Sequence, residues 1–220
     1  MDINRYKGCY IQGCDEAEGG NKPWFTKQQR SIDMDFKTLL INRRSIRDFQ
    51  NKEVPLSIIK EIIQDTCLAP TATNGQPCQF IIIQNRDYIK KLSDESKKNL
   101  LSDLEQNPES PIKDYEPYLR DEQFNIFHNA PCLVFFIGPK EVDSLDVDCA
   151  LTVAYFMFSA TSRGLGTCWI GLGACIRDRN ILNEIRIPPD CRIVAPIIVG
   201  YPTSIPPASE RHSPDILKVI

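Results

Sequence analysis

The sequence predicts an α+β fold in which a mixed central β-sheet is flanked by helices. Two observations carry this prediction. Short continuous apolar runs indicate buried strands, and stretches with apolar residues at helical spacing lie between them. The chain has 220 residues, 42% of them hydrophobic, which suits one domain with a sizeable core. That domain is expected at 35–220, after an irregular tail at 1–34.

The first half of the domain is expected to hold three helices and one strand. A short helix is predicted at 35–43. A second is predicted to begin near Pro55, because proline suits a first helical turn, and to stop before Pro70. The apolar run within 79–84 indicates a buried strand, and 86–104 has the pattern of a charged amphipathic helix.

The segment 107–129 fits no regular element and is expected to be an excursion with a little helix. It holds three prolines and four aromatic residues. Long insertions of this kind often serve as lids or binding loops.

The second half continues the alternation of strands and helices. Its predicted elements are strand 132–137, helix 147–163, strand 167–171, helix 178–185 and strand 192–199. The helix is apolar on most sides, so it belongs in the core or at a subunit interface. Pro196 inside the last strand predicts an edge strand or a bulge, because proline cannot donate to the sheet.

Composition narrows the class of protein. The net charge of −3 and the pI near 5.5 argue against a nucleic-acid partner. No apolar run has membrane-spanning length and no signal-peptide core is visible, so cytoplasm is the expected location.

The nine cysteines are odd in number and lack a C-x-x-C pattern, which indicates reduced thiols inside a cell. Cys132 and Cys149 are expected to be small core residues. Metal binding through Cys168 and Cys175, or through Cys9 and Cys14, has untypical spacing, and none is expected.

The first candidate functional segment is Arg43-Arg44-Ser45-Ile46-Arg47. Arginine offers a rigid fork of donors that fits phosphate and carboxylate oxygens. Charge alone would also suit a solvated basic surface.

The second candidate segment, 69–77, combines small and hydroxyl residues with Asn74 and Gln76, whose amides both donate and accept hydrogen bonds. It would equally serve as a simple helix stop and turn.

Two further segments come late in the chain. In 164–171, glycines follow a helix and open a strand, which is the reverse of a dinucleotide-binding fingerprint. A helix C-cap with Gly166 in a left-handed conformation is the structural interpretation. Gly200-Tyr201-Pro202 follows the last strand, and Arg211 lies nine residues further on.

Together and in this order, these segments resemble the nitroreductase family of flavin enzymes. The family pattern opens with R-R/H-S-x-R/K and continues with A-P-S-x-x-N-x-Q-P-W. It then has G-L-G-T-x-W-I-G, and it closes with G-Y-P and a basic pair. The resemblance spans roughly residues 36–215 and is specific because four unrelated spacings agree.

The resemblance implies a nitroreductase-like fold, an intertwined homodimer and FMN bound between subunits. It implies that Arg43, Arg44, Ser45 and Arg47 hold the phosphate, ribityl chain and pyrimidine edge, with Arg211 as a late phosphate ligand. The segment reaching the flavin from the partner subunit would be Pro70, Thr71, Ala72 and Asn74. The backbone facing the ring near N5 would be Ile170, Gly171 and Leu172.

The chain departs from the family pattern at three places. Cys78 replaces the tryptophan after Gln76-Pro77, and Ser209 stands where a second basic residue is usual. Some relatives carry an N-terminal iron–sulfur module, but Cys9 and Cys14 are too few for a four-iron cluster.

The implied activity is a two-step exchange in which NAD(P)H reduces the flavin and a small organic acceptor, such as a nitroaromatic or quinone, then oxidises it. No side chain is assigned as catalytic acid or base. Arg47 is the candidate cation for the reduced flavin. The insertion supplies candidate substrate contacts in Tyr115, Tyr118, Phe124 and Phe127, although these aromatics could simply pack the insertion down.

Three alternatives to this activity stay open. The first is a flavin-dependent dehalogenase, or another specialised reductase of the same fold. The second is a non-catalytic flavin-binding redox sensor or store. The third is a protein that binds some other phosphate ligand.

Overall fold

Four strands form one sheet at the centre of the structure, a computed structural model that describes residues 35–220. The expectations for 1–34, including those for Cys9 and Cys14, lie outside the described residues. The strands are β1 (Gln79–Ile83), β2 (Cys132–Pro139), β3 (Gly166–Trp169) and β4 (Cys191–Gly200), in the spatial order β1-β2-β4-β3. All three neighbouring pairs are antiparallel, and a parallel bridge joins Ser45 to Thr167 beside β3.

Six α-helices accompany the sheet in the described residues. They are α1 (Phe36–Asn42), α2 (Leu56–Thr66), α3 (Arg86–Gln106), α4 (Glu116–Arg120), α5 (Leu145–Ser162) and α6 (Arg179–Glu184). The α+β class is thereby confirmed, and the predicted elements lie where the sequence patterns indicated. Within 107–129 the regular structure is a 3-10 turn at Pro111–Tyr115 followed by α4.

The sheet is buried on both faces. In β2, Leu133 and Phe135 belong to the apolar cluster on one face, and Val134 and Phe136 belong to the cluster on the other. Successive strand residues point to opposite faces, so an unbroken apolar run is what a doubly covered strand requires. Cys132 and Cys149 are both completely buried, as expected.

Pro196 lies in a central strand, and the expectation of an edge strand is wrong. β4 pairs with β2 on one side and β3 on the other. The alternative, a bulge, is present nearby: Phe136 pairs with Ala195 while Ile137 pairs with Ile193, so Val194 is the extra residue. Pro196 lies opposite the residue that follows the end of β3, and its carbonyl accepts from the Ile170 N–H at 2.9 Å.

Helix α5 is buried on one side and exposes apolar residues on the other. Its Val153 and Phe156 are buried against the sheet. Val147, Leu151 and Tyr155, spaced one turn apart, are 64%, 41% and 41% exposed. An apolar stripe of this kind is typical of an interface. No helix among residues 35–220 is both long and apolar enough to cross a membrane.

Candidate functional site

The arginine segment runs alongside the start of β3. Ser45 forms the parallel bridge to Thr167, and the Ile46 N–H donates to the Thr167 carbonyl at 2.9 Å. The Ile46 side chain is buried, whereas Ser45 and Arg47 on either side of it are exposed. This alternation turns the polar residues of the motif away from the core.

The Gly200-Tyr201-Pro202 segment holds the other end of the same stretch. Phe49 forms an antiparallel bridge with Pro202, and the Gln50 N–H donates to the Tyr201 carbonyl at 2.9 Å. The Gln50 side-chain amide donates to the Pro202 carbonyl at 2.9 Å. Three of the four sequence motifs therefore meet at one end of the sheet, although they are far apart in the chain.

The two glycines after α5 have different roles, and the expectation for Gly166 is wrong. Gly164 is the residue with a left-handed backbone, at φ +73°. Gly166 has no positive φ but packs against Ile46, and a Cβ placed on it would lie 2.5 Å from Ile46 Cγ1. Glycine is required at 166 because the arginine segment crosses it at close range.

Two arginines and the serine of the segment 43–47 act electrostatically on Cys168. The sequence alone had assigned no role to this cysteine. Burial raises the pKa of the Cys168 thiol, while the Arg47 charge, a hydrogen bond with Ser45 and the Arg43 charge act in the opposite direction. Arg43, Ser45 and Arg47 therefore all lie close to one buried sulfur atom. The site is electropositive, as an anion-binding site must be.

Two buried polar atoms at this site lack a partner. Among the described residues, only Arg44 Nε and Thr167 Oγ1 are buried side-chain N or O atoms without a hydrogen bond. Buried polar groups are normally satisfied, so each such group calls for an explanation. One Arg44 terminal nitrogen donates to the carbonyls of Ile41 and Arg43, which leaves Nε as an unused donor. An anionic ligand with hydroxyl groups, such as FMN, fits this set of charges and unused atoms.

The 69–77 segment is fixed to the opposite end of α5. The Ala72 N–H donates to Asp148 Oδ1 at 2.8 Å, and Asp148 is buried in the first turn of that helix. Thr73, Asn74 and Gln76 all have positive φ, so the loop is tightly wound. The Gln76 N–H closes it by donating to the Thr71 hydroxyl at 3.0 Å.

This loop does not meet the arginine segment within one chain. It lies at the N-terminal end of α5, whereas Thr167 follows the C-terminal end. With a rise of about 1.5 Å per residue, Asp148 and Ser162 are about 21 Å apart. The sheet gives the same result, because the loop precedes β1 and the arginines lie beside β3, at diagonally opposite corners.

The backbone after β3 forms an open turn. Ile170 donates to β4, and Gly171–Ala174 then makes one 3-10 turn in which Gly171 is exposed. A Cβ on Gly171 would meet nothing within 4 Å. Gly173, by contrast, rests directly on the Phe127 ring. The turn is therefore packed against the core at Gly173 and open to solvent at Gly171.

The four aromatic residues of the insertion do not share one environment. Phe127 is completely buried: its ring packs against Phe135 and lies under Gly173 as part of the core. Tyr115 and Tyr118 are about half exposed, and Tyr118 packs on Phe124, whose ring is 5.5 Å away.

His128 is a second residue near the site that sequence reasoning did not assign to it. Its ring meets Phe124 edge-on at 5.9 Å. Burial, and then the Arg47 charge, lower the pKa of the imidazole. The insertion therefore ends beside the arginine segment, a relationship that no local sequence pattern contains.

Arg211, the late phosphate ligand implied by the resemblance, lies in the segment after the last strand. It is exposed and makes no hydrogen bond or ion pair with residues 35–220. The segment 203–220 contains no helix or strand. Within the part of the chain that the structure describes, no group of three or more His, Cys, Asp or Glu residues is arranged to hold a metal ion.

Comparison with known proteins identifies the family. A model of the nitroreductase family matches residues 40–201, more than half of the chain. The chain belongs to the nitroreductase family. A protein of Methanothermobacter thermautotrophicus, provisionally named NADH dehydrogenase/NAD(P)H nitroreductase, is 26% identical over 188 residues. That match covers 83% of this chain and 85% of the relative.

Several solved structures share the fold of this chain. The nitroreductase of Bacteroides fragilis with bound FMN superposes with a TM-score of 0.70 at 19% identity, covering 88% of this chain and 99% of that one. An iodotyrosine deiodinase bound to FMN and 3-iodo-L-tyrosine gives a TM-score of 0.67 at 18% identity, covering 84% and 99%. At these identities the two likenesses establish the fold of this nitroreductase-family chain.

Proposed function

We propose that this protein is an FMN-dependent oxidoreductase. It works as a homodimer and passes electrons from NAD(P)H to a small organic acceptor. The observation that carries the proposal is the convergence of three distant motifs on one electropositive corner of the sheet. The unused donor of Arg44 lies in that corner.

The arginine segment would bind the cofactor's charged end. Arg43 and Arg44 would hold the phosphate, with Ser45 and the unpartnered Thr167 hydroxyl beside the ribityl chain. Arg47 would lie at the pyrimidine edge, where a cation stabilises the negative charge of a reduced flavin. Ile170, Gly171 and Leu172 would present their backbone to the ring, because the turn is open above Gly171. FMN, when bound, supplies the two-electron chemistry between nicotinamide and acceptor.

A second copy of the chain would complete each site. Pro70, Thr71, Ala72 and Asn74 lie at the N-terminal end of α5, whereas the arginine segment of the same chain lies beside β3, which follows the C-terminal end of that helix. A two-fold related partner would bring its own loop to this segment, since such symmetry exchanges equivalent surfaces.

Exposed apolar residues support the dimer. Val147, Leu151 and Tyr155 form an exposed apolar stripe on α5, and α1, which contacts α5 through Phe36 and Phe158, exposes Phe36 and Leu40 as well. The C-terminal segment also exposes Ile216 and Leu217. Burial of such surfaces is the usual driving force for association. A tail draped over the partner would also bring Arg211 to a phosphate.

The acceptor would enter beneath the insertion, beside Tyr118 and Phe124, and nitroaromatics and quinones have rings suited to stacking there. A flavin-dependent dehalogenase is the second candidate, favoured by the likeness to the iodotyrosine deiodinase structure. Substrate profiling with nitroaromatics, quinones and halogenated phenols separates the two candidates.

The direct test is spectroscopic. The purified protein is reconstituted with FMN and titrated anaerobically with NADH or NADPH, while light scattering reports its mass. A dimer with a flavin spectrum that is bleached by nicotinamide and restored by a quinone is expected. A colourless protein, or a flavin that nicotinamide does not bleach, would contradict the proposal. A flavin that is reduced once but not turned over would favour a sensor or store.

A further inference from the structure

One face of α3 carries polar residues that are buried instead of solvated. Between positions 93 and 99 the buried polar residues are Ser93, Glu95, Ser96, Lys97 and Asn99. The sequence pattern indicated a charged amphipathic helix at 86–104 and did not distinguish these residues from its solvated ones. Burying polar and charged groups is unfavourable unless each is hydrogen-bonded, so their partners are informative.

Three of these residues hold the segment that follows the open turn. The Ser96 hydroxyl donates to the Leu172 carbonyl, and the Asn99 amide donates to the Cys175 carbonyl at 2.9 Å. Glu95 Oε1 accepts from the backbone N–H groups of Arg177 and Asp178 at 3.3 and 3.0 Å. Successive turns of α3 thus fix the backbone from 172 to 178.

An ion pair extends this contact by one turn of the helix. Arg177 and Asp103 form two parallel hydrogen bonds, at 2.8 and 2.7 Å. The pair is partly exposed, so it adds little energy by itself. The pair nevertheless attaches the C-terminal end of the segment 172–178 to the last turns of α3.

The other two residues hold the insertion. The Ser93 hydroxyl accepts from the Ile126 N–H at 3.0 Å. The buried Lys97 ammonium donates to the carbonyls of Asp121 and Phe124 at 2.7 and 2.9 Å. The buried polar residues of α3 therefore hold two separate segments, one after the open turn and one in the insertion.

We infer that Ser96, supported by Glu95 and Asn99, is a positioning residue for the turn at Ile170–Leu172, which faces the flavin under the function proposed above. Hydrogen bonds from α3 side chains fix the Leu172 carbonyl and the backbone after it. The adjacent Gly171 is exposed, and a Cβ placed on it would meet nothing within 4 Å. The Ser96 hydrogen bond therefore sets the height of the Gly171 backbone relative to a bound ring. Ser93 and Lys97 position the insertion in the same way, through their hydrogen bonds to its backbone.

Hydride transfer needs its reacting atoms within a few tenths of an ångström of a productive distance, so a displaced turn lowers the rate more than it lowers binding. Losing one buried hydrogen bond changes a local equilibrium on the order of fivefold. The effect of Ser96→Ala should therefore appear in the reduction rate and in the local exchange of the turn, with little change in FMN affinity.

The test compares Ser96→Ala with Ser93→Ala and with Ser102→Ala, an exposed serine on the same helix. Hydrogen–deuterium exchange is measured on the FMN-free proteins. The rate constant of flavin reduction by NADH or NADPH is then measured on the reconstituted ones. Ser96→Ala should speed exchange at 171–176 and slow reduction, each on the order of fivefold. Ser93→Ala should speed exchange at 124–129, and Ser102→Ala should match the wild type.

Two results would overturn the inference. One is unchanged exchange at 171–176 in Ser96→Ala. The other is equal loosening of both segments in Ser93→Ala and Ser96→Ala, which would indicate a general weakening of α3. If the wild-type protein does not bind FMN, the proposed function fails, and the exchange measurement still decides whether Ser96 holds the turn. Faster exchange with an unchanged reduction rate would reject the flavin-facing role alone.

Discussion

The Ala72 N–H and the Asp148 carboxylate, 2.8 Å apart, join the loop after α2 to the first turn of α5. Asp148 is buried, and its second oxygen accepts from the Ser144 hydroxyl at 2.8 Å. A negative charge at a helix N-terminus is also favoured by the helix dipole. One carboxylate therefore supports both the helix and the loop that we propose reaches the partner's flavin.

Replacing Asp148 with alanine should lower the free energy of unfolding by about 1–3 kcal/mol, because it leaves a backbone N–H without its acceptor. FMN affinity should fall with it, since the loop loses its anchor. Asp146→Ala is the matched control: Asp146 lies in the same first turn but forms only an exposed ion pair with Arg192. Denaturant unfolding and fluorescence titration with FMN measure both effects, and equal losses in the two variants would contradict this account.

Alanine at Gly166 should destabilise the fold, whereas alanine at Gly171 should not. At 166 the new methyl group would lie 2.5 Å from Ile46 Cγ1, and overpacking of this kind costs about 1–3 kcal/mol. At 171 it would meet nothing within 4 Å, so the stability of the FMN-free protein should change by less than about 0.5 kcal/mol.

Gly171→Ala should nonetheless bind FMN more weakly, because its methyl group would enter the space assigned to the flavin ring. Thermal unfolding with and without FMN separates the two variants. A Gly171→Ala protein with wild-type FMN affinity would argue against a flavin above the turn.

Replacing Leu151 with glutamate should convert the proposed dimer into a monomer that retains its fold and loses FMN. The side chain is 41% exposed on the apolar stripe of α5, and a charge buried there without a partner opposes association. Leu151→Met keeps the apolar volume and serves as the control. Light scattering gives the mass and circular dichroism checks the fold. A glutamate variant that stays dimeric would place the interface elsewhere.

The stability of the protein should rise with pH across the titration of His128. Burial and the Arg47 charge hold the pKa of this imidazole below its usual 6.5. Between the folded pKa and 6.5 the unfolded chain binds more protons than the folded protein, so the free energy of unfolding increases with pH in that window. Below the folded pKa the dependence levels off.

The variant His128→Asn should flatten this dependence, and asparagine tolerates the left-handed backbone at φ 52°. His212→Asn replaces an exposed imidazole and serves as the matched control. Denaturant unfolding from pH 5 to 8 measures the slopes. An unchanged slope in His128→Asn would show that the group titrates alike in both states.

Local sequence patterns determined the elements of this protein and the family to which it belongs. Helical spacing placed α2 and α5, and unbroken apolar runs placed β1 and β2, because periodicity within a segment reflects how that segment is buried. Arg43, Gly164 and Gly200 were singled out because their neighbours in the chain form recognisable motifs.

Only the tertiary structure decided which residues share an environment. Pro196 proved central, Gly166 proved to be a packing glycine and Phe127 proved to be core, because pairing partners and close approaches come from residues distant in the chain. The burial of polar residues on α3 could not be predicted for the same reason. A helix sequence contains serine and lysine at the same spacing whether those side chains face water or bind a loop. The opposite placement of Ala72 and Thr167 follows from strand order, which no periodicity encodes.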